Sequence, residues 1–237
     1  MRRNSVAVRY LVFLRSDIYE RLVEETSDRG KYNLIRVDWS DQAQLRNLIR
    51  ERVVSSVDPD KQGDAWNAIN PILPSGDTLT LLIDNSLRRP RFLIDLCEKT
   101  ISCAMNRGHA FVKAEDVEEG LRLMARYLVS DFAYEMRDVA GTPENILYAF
   151  IGAPGLMTES EIEGILANHN LEMVPGEIIE LLLWYGFLGF MSEASVALFI
   201  YDVEYDYRRL DAEKMRLKGN VFYVVNSAFL KGLNRAS

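Results

Sequence analysis

The stretch LRRPRFLIDLCEKTISCAMNRG, Leu87 to Gly108, carries the strongest helical pattern in the chain. Pro90 suits a first helical turn, because its fixed φ fits there and its absent N–H is not needed. Leu93, Leu96, Cys97, Ile101 and Ala104 recur on one face, and Gly108 supplies a stop. A helix this apolar on one side needs other helices to cover it. The centre of the chain is therefore expected to be a helical bundle.

Towards the C-terminus, AEDVEEGLRLMARYLVSDFAYEMRDVAG predicts a long helix ending at Gly141. Beyond it the pattern changes. Thr142-Pro143 opens ENILYAFIG, Thr158 with Glu161 makes a capping box for ESEIEGILANHN, and Pro175 opens GEIIELLLWYGFLGF. The apolar pieces FLGFM, VALFIYDV and NVFYVV follow. Three short helices and then a small β-hairpin is the order of a winged helix, with Gly186 and Gly189 at the handover from the third helix to the first wing strand. Towards the N-terminus, TLTLLIDNSL is helical, PILPSGD is a break, and Ser40-Asp41 starts a helix with Leu45, Leu48, Ile49, Arg52 and Val53 at helical spacing. Two strands come first. VRYLVFL, running to Leu14, has the unbroken apolar character of a central parallel strand, and NLIRVDW is a second; Asp17 with Glu20 caps a short helix between them, Ile18 to Glu25. The expected architecture is mainly α with small β: residues 1–40 as the last strands of a parallel α/β core, 41–141 as a helical lid bundle, and 142–237 as a winged helix.

Charge is unevenly distributed. Residues 1–52 carry 11 Lys and Arg against 8 Asp and Glu, and the remainder carries 17 against 27. An acidic C-terminal portion disfavours a nonspecific grip on nucleic acid, which depends on pairing cations with phosphates. The third helix of the expected winged helix, GEIIELLLWYGF, offers two Glu and no Lys or Arg, so it is read as a protein-contacting element rather than a groove reader. No apolar run reaches the ~18 residues a spanning helix needs. VAVRYLVFL is broken by Arg9 and lacks a small-residue cleavage site, so no secretory signal is expected. Cys97 and Cys103 are the two cysteines and fall on different helix faces, which predicts reduced core thiols in a cytoplasmic protein.

The sequence contains no G-x-x-x-x-G-K-[ST] and no apolar strand ending in paired acids. His109 and His169 stand apart from the cysteines, without metal-ligand spacing, and there is no nucleophile elbow. Two arginine groups remain. Arg15 ends the first strand, and in open α/β sheets ligands sit outside the carboxyl ends of strands. A guanidinium there suits a phosphate; equally, Arg15 and Asp17 make a surface ion pair at a helix start. The second group is Arg88, Arg89 and Arg91 around Pro90. Three cations at the positive end of a helix need an anion, either a bound phosphate or carboxylates such as Asp84, Asp95 and Glu98.

The segments YLVFLRSDIYERL and DRGKYNLIRVDWSDQAQLRNLIRERV, followed by SLRRPRFLIDLCEKTI, resemble the latter half of bacterial P-loop ATPases of the AAA+, STAND and KAP-like kind. The resemblance implies that Arg15 takes the sensor-1 place against the γ-phosphate and that Pro90 lines the adenine pocket. It makes Arg89 or Arg91 the sensor-2 cation, with Arg88 and Asp17 beside these contacts. It further implies ATP as ligand and a switch in which lid and core close on the triphosphate. The Mg ion and the phosphate cradle would come from an N-terminal ATPase half or from a partner chain. An incomplete sheet edge implies self-association or dependence on that half. A nucleotide-independent interaction scaffold and, more remotely, a DNA-binding winged helix are the alternatives.

Overall fold

The computed structural model describes residues 12–14, 35, 37–167, 173–219 and 221–233. Asp38–Ser237 forms one compact unit, separate from Met1–Val37. Of the two expected N-terminal strands, Val12, Phe13, Leu14, Ile35 and Val37 fall among the described residues. None is in a strand, and Val12 and Phe13 are 70% and 85% exposed. Most of the rest of both expected strands lies outside the described residues. Arg15, Asp17 and the helix from Ile18 to Glu25 lie outside the described residues.

The compact unit is mainly helical with small antiparallel sheets, as expected. Helix α1, Gln42–Ser55, is capped by Asp41, whose carboxylate accepts from Ala43 N at 2.8 Å. A 3-10 turn leads into α2, Gln62–Ile69. A two-residue hairpin, β1 Ile72–Leu73 with β2 Gly76–Asp77, occupies the expected break. The Asp77 carboxylate then caps α3, Thr78–Asp84, accepting from Thr80 N at 2.9 Å. Burial pushes the Asp77 carboxyl up, but hydrogen bonds from Arg46, Thr80 and Asn70 outweigh it and hold the group well below the ordinary carboxylate range.

Helix α4, Pro90–Asn106, opens on Pro90 as the sequence requires. Helix α5, Ala114–Ala140, ends at Gly141 in the left-handed region. Gly120 of α5 lies against Thr100 of α4, where a Cβ would come 3.1 Å from the Thr100 Cα. That absence of a side chain sets the spacing of the two central helices.

The C-terminal part runs through a 3-10 helix Ile146–Phe150, α6 Glu159–Leu166, α7 Pro175–Trp184, β3 Leu188–Met191, β4 Ala197–Leu198, a 3-10 turn Ile200–Val203, α8 Tyr207–Arg216, β5 Tyr223–Val225 and α9 Ser227–Leu233. The sheet order is β4-β3-β5, and Met157 bridges to Tyr223 on the free side of β5. Met157 precedes α6, so a single bridging residue, two helices and a hairpin follow in winged-helix order. The wing between β3 and β5 is enlarged by β4 and α8. Helix α9 then returns to α5: a Cβ on Gly232 would meet Ala125 O at 2.6 Å, and Phe229 packs edge-on to Phe132 at 5.3 Å. The boundary expected at Gly141 is a helix end. One apolar core, including Leu93, Leu128, Phe132, Leu182, Phe187 and Phe229, runs across it.

Candidate functional site

The four described site residues, Arg88, Arg89, Pro90 and Arg91, lie together where the loop after α3 enters the first turn of α4. The start of the loop is fixed locally. Asn85 Nδ2 donates to Leu81 O at 2.9 Å, and the buried Ser86 hydroxyl donates to Ile83 O at 2.8 Å. Leu87 and Arg88 then adopt φ of 52° and 49°. Two successive left-handed non-glycine residues are uncommon. They reverse the chain while keeping Leu87 in the core, 1% exposed.

Each arginine has a different partner. Arg88 Nη2 lies 3.0 Å from Asp202 Oδ1, and its guanidinium sits 4.9 Å above the Tyr201 ring. Arg88 Nε is buried with no hydrogen-bond partner among the described residues. Arg89 is enclosed by three rings, Phe92, Phe132 and Tyr205, at 5.4, 5.2 and 5.3 Å, and its Nε donates to the Tyr205 hydroxyl at 3.2 Å. That hydroxyl in turn donates to Leu87 O. Arg91 is exposed and donates to the Tyr127 hydroxyl at 3.1 Å. Pro90 holds the first position of the helix.

The carboxylates nearest in sequence are engaged elsewhere. Asp95 pairs with Lys99 at 2.7 Å, Glu98 lies 3.9 Å from Arg52, and Asp84 accepts from Gln42 at 3.1 Å. Burial, with Asp202 nearby, raises the Asp84 carboxyl above its ordinary value despite the opposing field of Arg88. Sequence spacing gave no sign of Asp202, Tyr201 or Tyr205, because they approach only when the wing folds back.

The opposite side of this contact is the turn Ile200–Val203 together with Glu204 and Tyr205. Phe199 N donates to Asp202 Oδ2 at 2.9 Å, leaving Oδ1 for Arg88. Glu204 and Tyr205 adopt φ of 58° and 57°, and Tyr205 N closes the turn onto Ile200 O at 2.9 Å. Buried Asn226 donates to the Tyr201 hydroxyl at 3.2 Å and to Gly186 O at 3.1 Å.

Two other places have chemical potential. His109, Glu115 and Asp116 present ligand atoms within 4.8 Å of one another. Yet the buried Asp116 carboxylate already accepts from Arg107 at 2.7 Å, His109 Nδ1 at 2.8 Å and Lys113 N at 2.9 Å. A cation there would have to displace an arginine; the cluster is a helix cap. Burial pushes the Asp116 carboxyl up, and these three partners more than offset it, so it lies below its ordinary value. An apolar pocket between α1 and α4, lined by Trp66, Leu79, Leu82, Cys97, Thr100 and Val112, has room of about 10 Å³. That is scarcely one water molecule. Burial pushes the Cys97 thiol up to about 12, so it behaves as an inert core group.

The third helix of the winged helix, α7, buries Ile178, Ile179, Leu181, Leu182 and Leu183. Two of its less buried residues meet α8: Tyr207 donates to Glu180 at 2.7 Å, Lys214 ion-pairs with Glu180, and Trp184 stacks on Tyr207 at 5.2 Å, while Glu177 is exposed. Among the described residues no helix is long and apolar enough to cross a membrane.

Residues 43–133, from α1 into α5, match the model of the FunZ-associated C-terminal helical domain. No curated protein and no solved structure matches the chain.

Proposed function

We propose that the chain is the regulatory C-terminal part of a P-loop ATPase switch, which senses bound ATP through arginines and relays its state through the helical bundle and the winged helix. The observation that carries this reading is the Leu87–Arg91 loop. It gathers three cations at the N-terminus of α4 and ties two of them to the wing through Asp202 and Tyr205. A phosphate that drew on this loop would change its hold on the wing, which is how a nucleotide becomes a mechanical signal. The similarity to a domain described as FunZ-associated and C-terminal suits an accessory module that works beside another domain. In this reading Arg15 and Arg91 contact the triphosphate, Pro90 borders the adenine, and ATP with its Mg is held by a phosphate-cradling domain outside these residues. The reduced thiols Cys97 and Cys103 suit the cytoplasm.

A second reading, a nucleotide-independent interaction scaffold, is favoured by one observation: Arg88 already has its carboxylate, Asp202, and Arg89 its aromatic enclosure. Titrating labelled ATP into the chain, alone and with its P-loop partner domain, separates the two. The switch reading expects no tight binding alone and turnover in the combination, with Arg15→Ala and Arg91→Ala each lowering turnover at least about tenfold. Tight binding by the chain alone, or unchanged turnover in both variants, rejects it.

A further inference from the structure

We propose that Leu87–Arg91 and Ile200–Tyr205 form a strained two-state latch, engaged in this structure, whose release frees the wing from α4 and the arginines from their internal partners. Among the described residues six non-glycine positions have positive φ, and four of them, Leu87, Arg88, Glu204 and Tyr205, lie on the two sides of this one contact. The other two, Ser195 and Lys218, are exposed turn residues of the wing. Backbone in this region persists only where its surroundings over-determine it. The bonds across this contact are Arg88 to Asp202, Arg88 over Tyr201, Arg89 to the Tyr205 hydroxyl, and that hydroxyl to Leu87 O, the last joining two of the strained residues directly. Each side is braced by the other in addition to the local backbone bonds that close its own turn. Loss of the contact lets both relax together, so partial release has no advantage. The unpartnered, buried Arg88 Nε is a further cost borne only while the latch is engaged.

The consequence is mechanical. The contact joins α4 to the segment leading into α8, and α8 packs on α7 at Glu180. Release detaches the root of the wing while the α5–α9 packing stays in place. Engagement also withholds Arg88 and Arg89 from any outside anion; only this last step rests on the nucleotide reading.

Native-state hydrogen exchange of the full chain without nucleotide tests the latch independently of that reading. The reporters are the amides of Arg89, Glu204, Tyr205 and Asp206, which close the two turns; Leu128 and Val129 in α5 report global opening. Asp202→Asn and Tyr205→Phe remove bonds across the contact and are expected to speed reporter exchange by about tenfold, with the α5 amides unchanged. Glu204→Gly relieves backbone strain at an exposed position and is expected to slow reporter exchange. Reporters that change only in step with α5, or a Glu204→Gly variant that exchanges faster, would overturn the proposal. Should Asp202→Asn fail to fold, Tyr205→Phe and Glu204→Gly still decide it.

Discussion

Asp116 shows how much a single side chain can organise. It is fully buried, yet charged, because two side chains and one backbone N–H converge on it at the start of α5. Folding therefore favours its ionised form. The stability this confers is complete above the unfolded value of about 4 and drains away as the pH falls through the lower folded value. Asp116→Asn is expected to cost about 1–3 kcal/mol near neutral pH, because Arg107 loses a buried carboxylate. The variant should also lose part of the acid sensitivity, which urea titrations at descending pH measure directly. Gly232 and Gly120 make a different demand. A methyl on Gly232 meets the Ala125 backbone, which cannot yield, whereas on Gly120 it meets Thr100, whose side chain can be removed. Both Gly→Ala changes are expected to destabilise by about 1–3 kcal/mol, Gly232→Ala the more. Adding Thr100→Ala should recover part of the loss for Gly120→Ala only, as read from denaturation midpoints of the double variant. Neither glycine was singled out by sequence, since a small residue inside a helix shows its purpose only when the neighbour is known.

The helices announced by caps and stops were legible. Asp41, Pro90, the Thr158–Glu161 box, Pro175 and Gly141 each mark an end that the chain uses. Helix α8 was not legible: YRRLDAEKMR buries only Leu210 and so has no apolar stripe to recognise. ENILYAFIG formed a 3-10 helix rather than an α-helix, with Gly152 and Pro154 closing off its extension. Helix α8 packs on α7 at Glu180 and Trp184, and Glu180 receives both Tyr207 and Lys214. Glu180→Ala is expected to cost about 1 kcal/mol and to speed proteolytic cleavage within 207–218. Neither the parent chain nor this variant should give a salt-dependent shift of duplex DNA. A shift by the parent chain would show that α7 is not the relevant face.

At the scale of the molecule, the segment similar to the FunZ-associated domain ends within α5, but the packing of α5 does not. Phe132 of that helix touches Phe92 before it, and Tyr185 and Phe229 after it, with ring centroids 5.8, 5.7 and 5.3 Å away. The residues from Asp38 onward should therefore unfold in one transition, with calorimetric and van't Hoff enthalpies equal. A fragment ending at Gly141 should expose the α9-facing side of α5 and bind hydrophobic dyes; two resolved transitions in the longer chain would contradict this. The change of pattern after Gly141 was legible from the sequence. The closure of the chain around α5 was not, because the partners that meet there, such as Lys231 and Glu118 at 3.1 Å, are 113 positions apart.

That closure bears on how the protein is made. Helix α9 supplies Phe229 and Leu233 to a core begun by residues near Leu45. The ribosome must therefore release the segment through position 233 before α5 is fully covered, and until then the nascent chain presents an apolar groove of the kind that trigger-type chaperones shield. Mutations in this last helix should accordingly lower yield during synthesis more than they lower the endurance of molecules already folded.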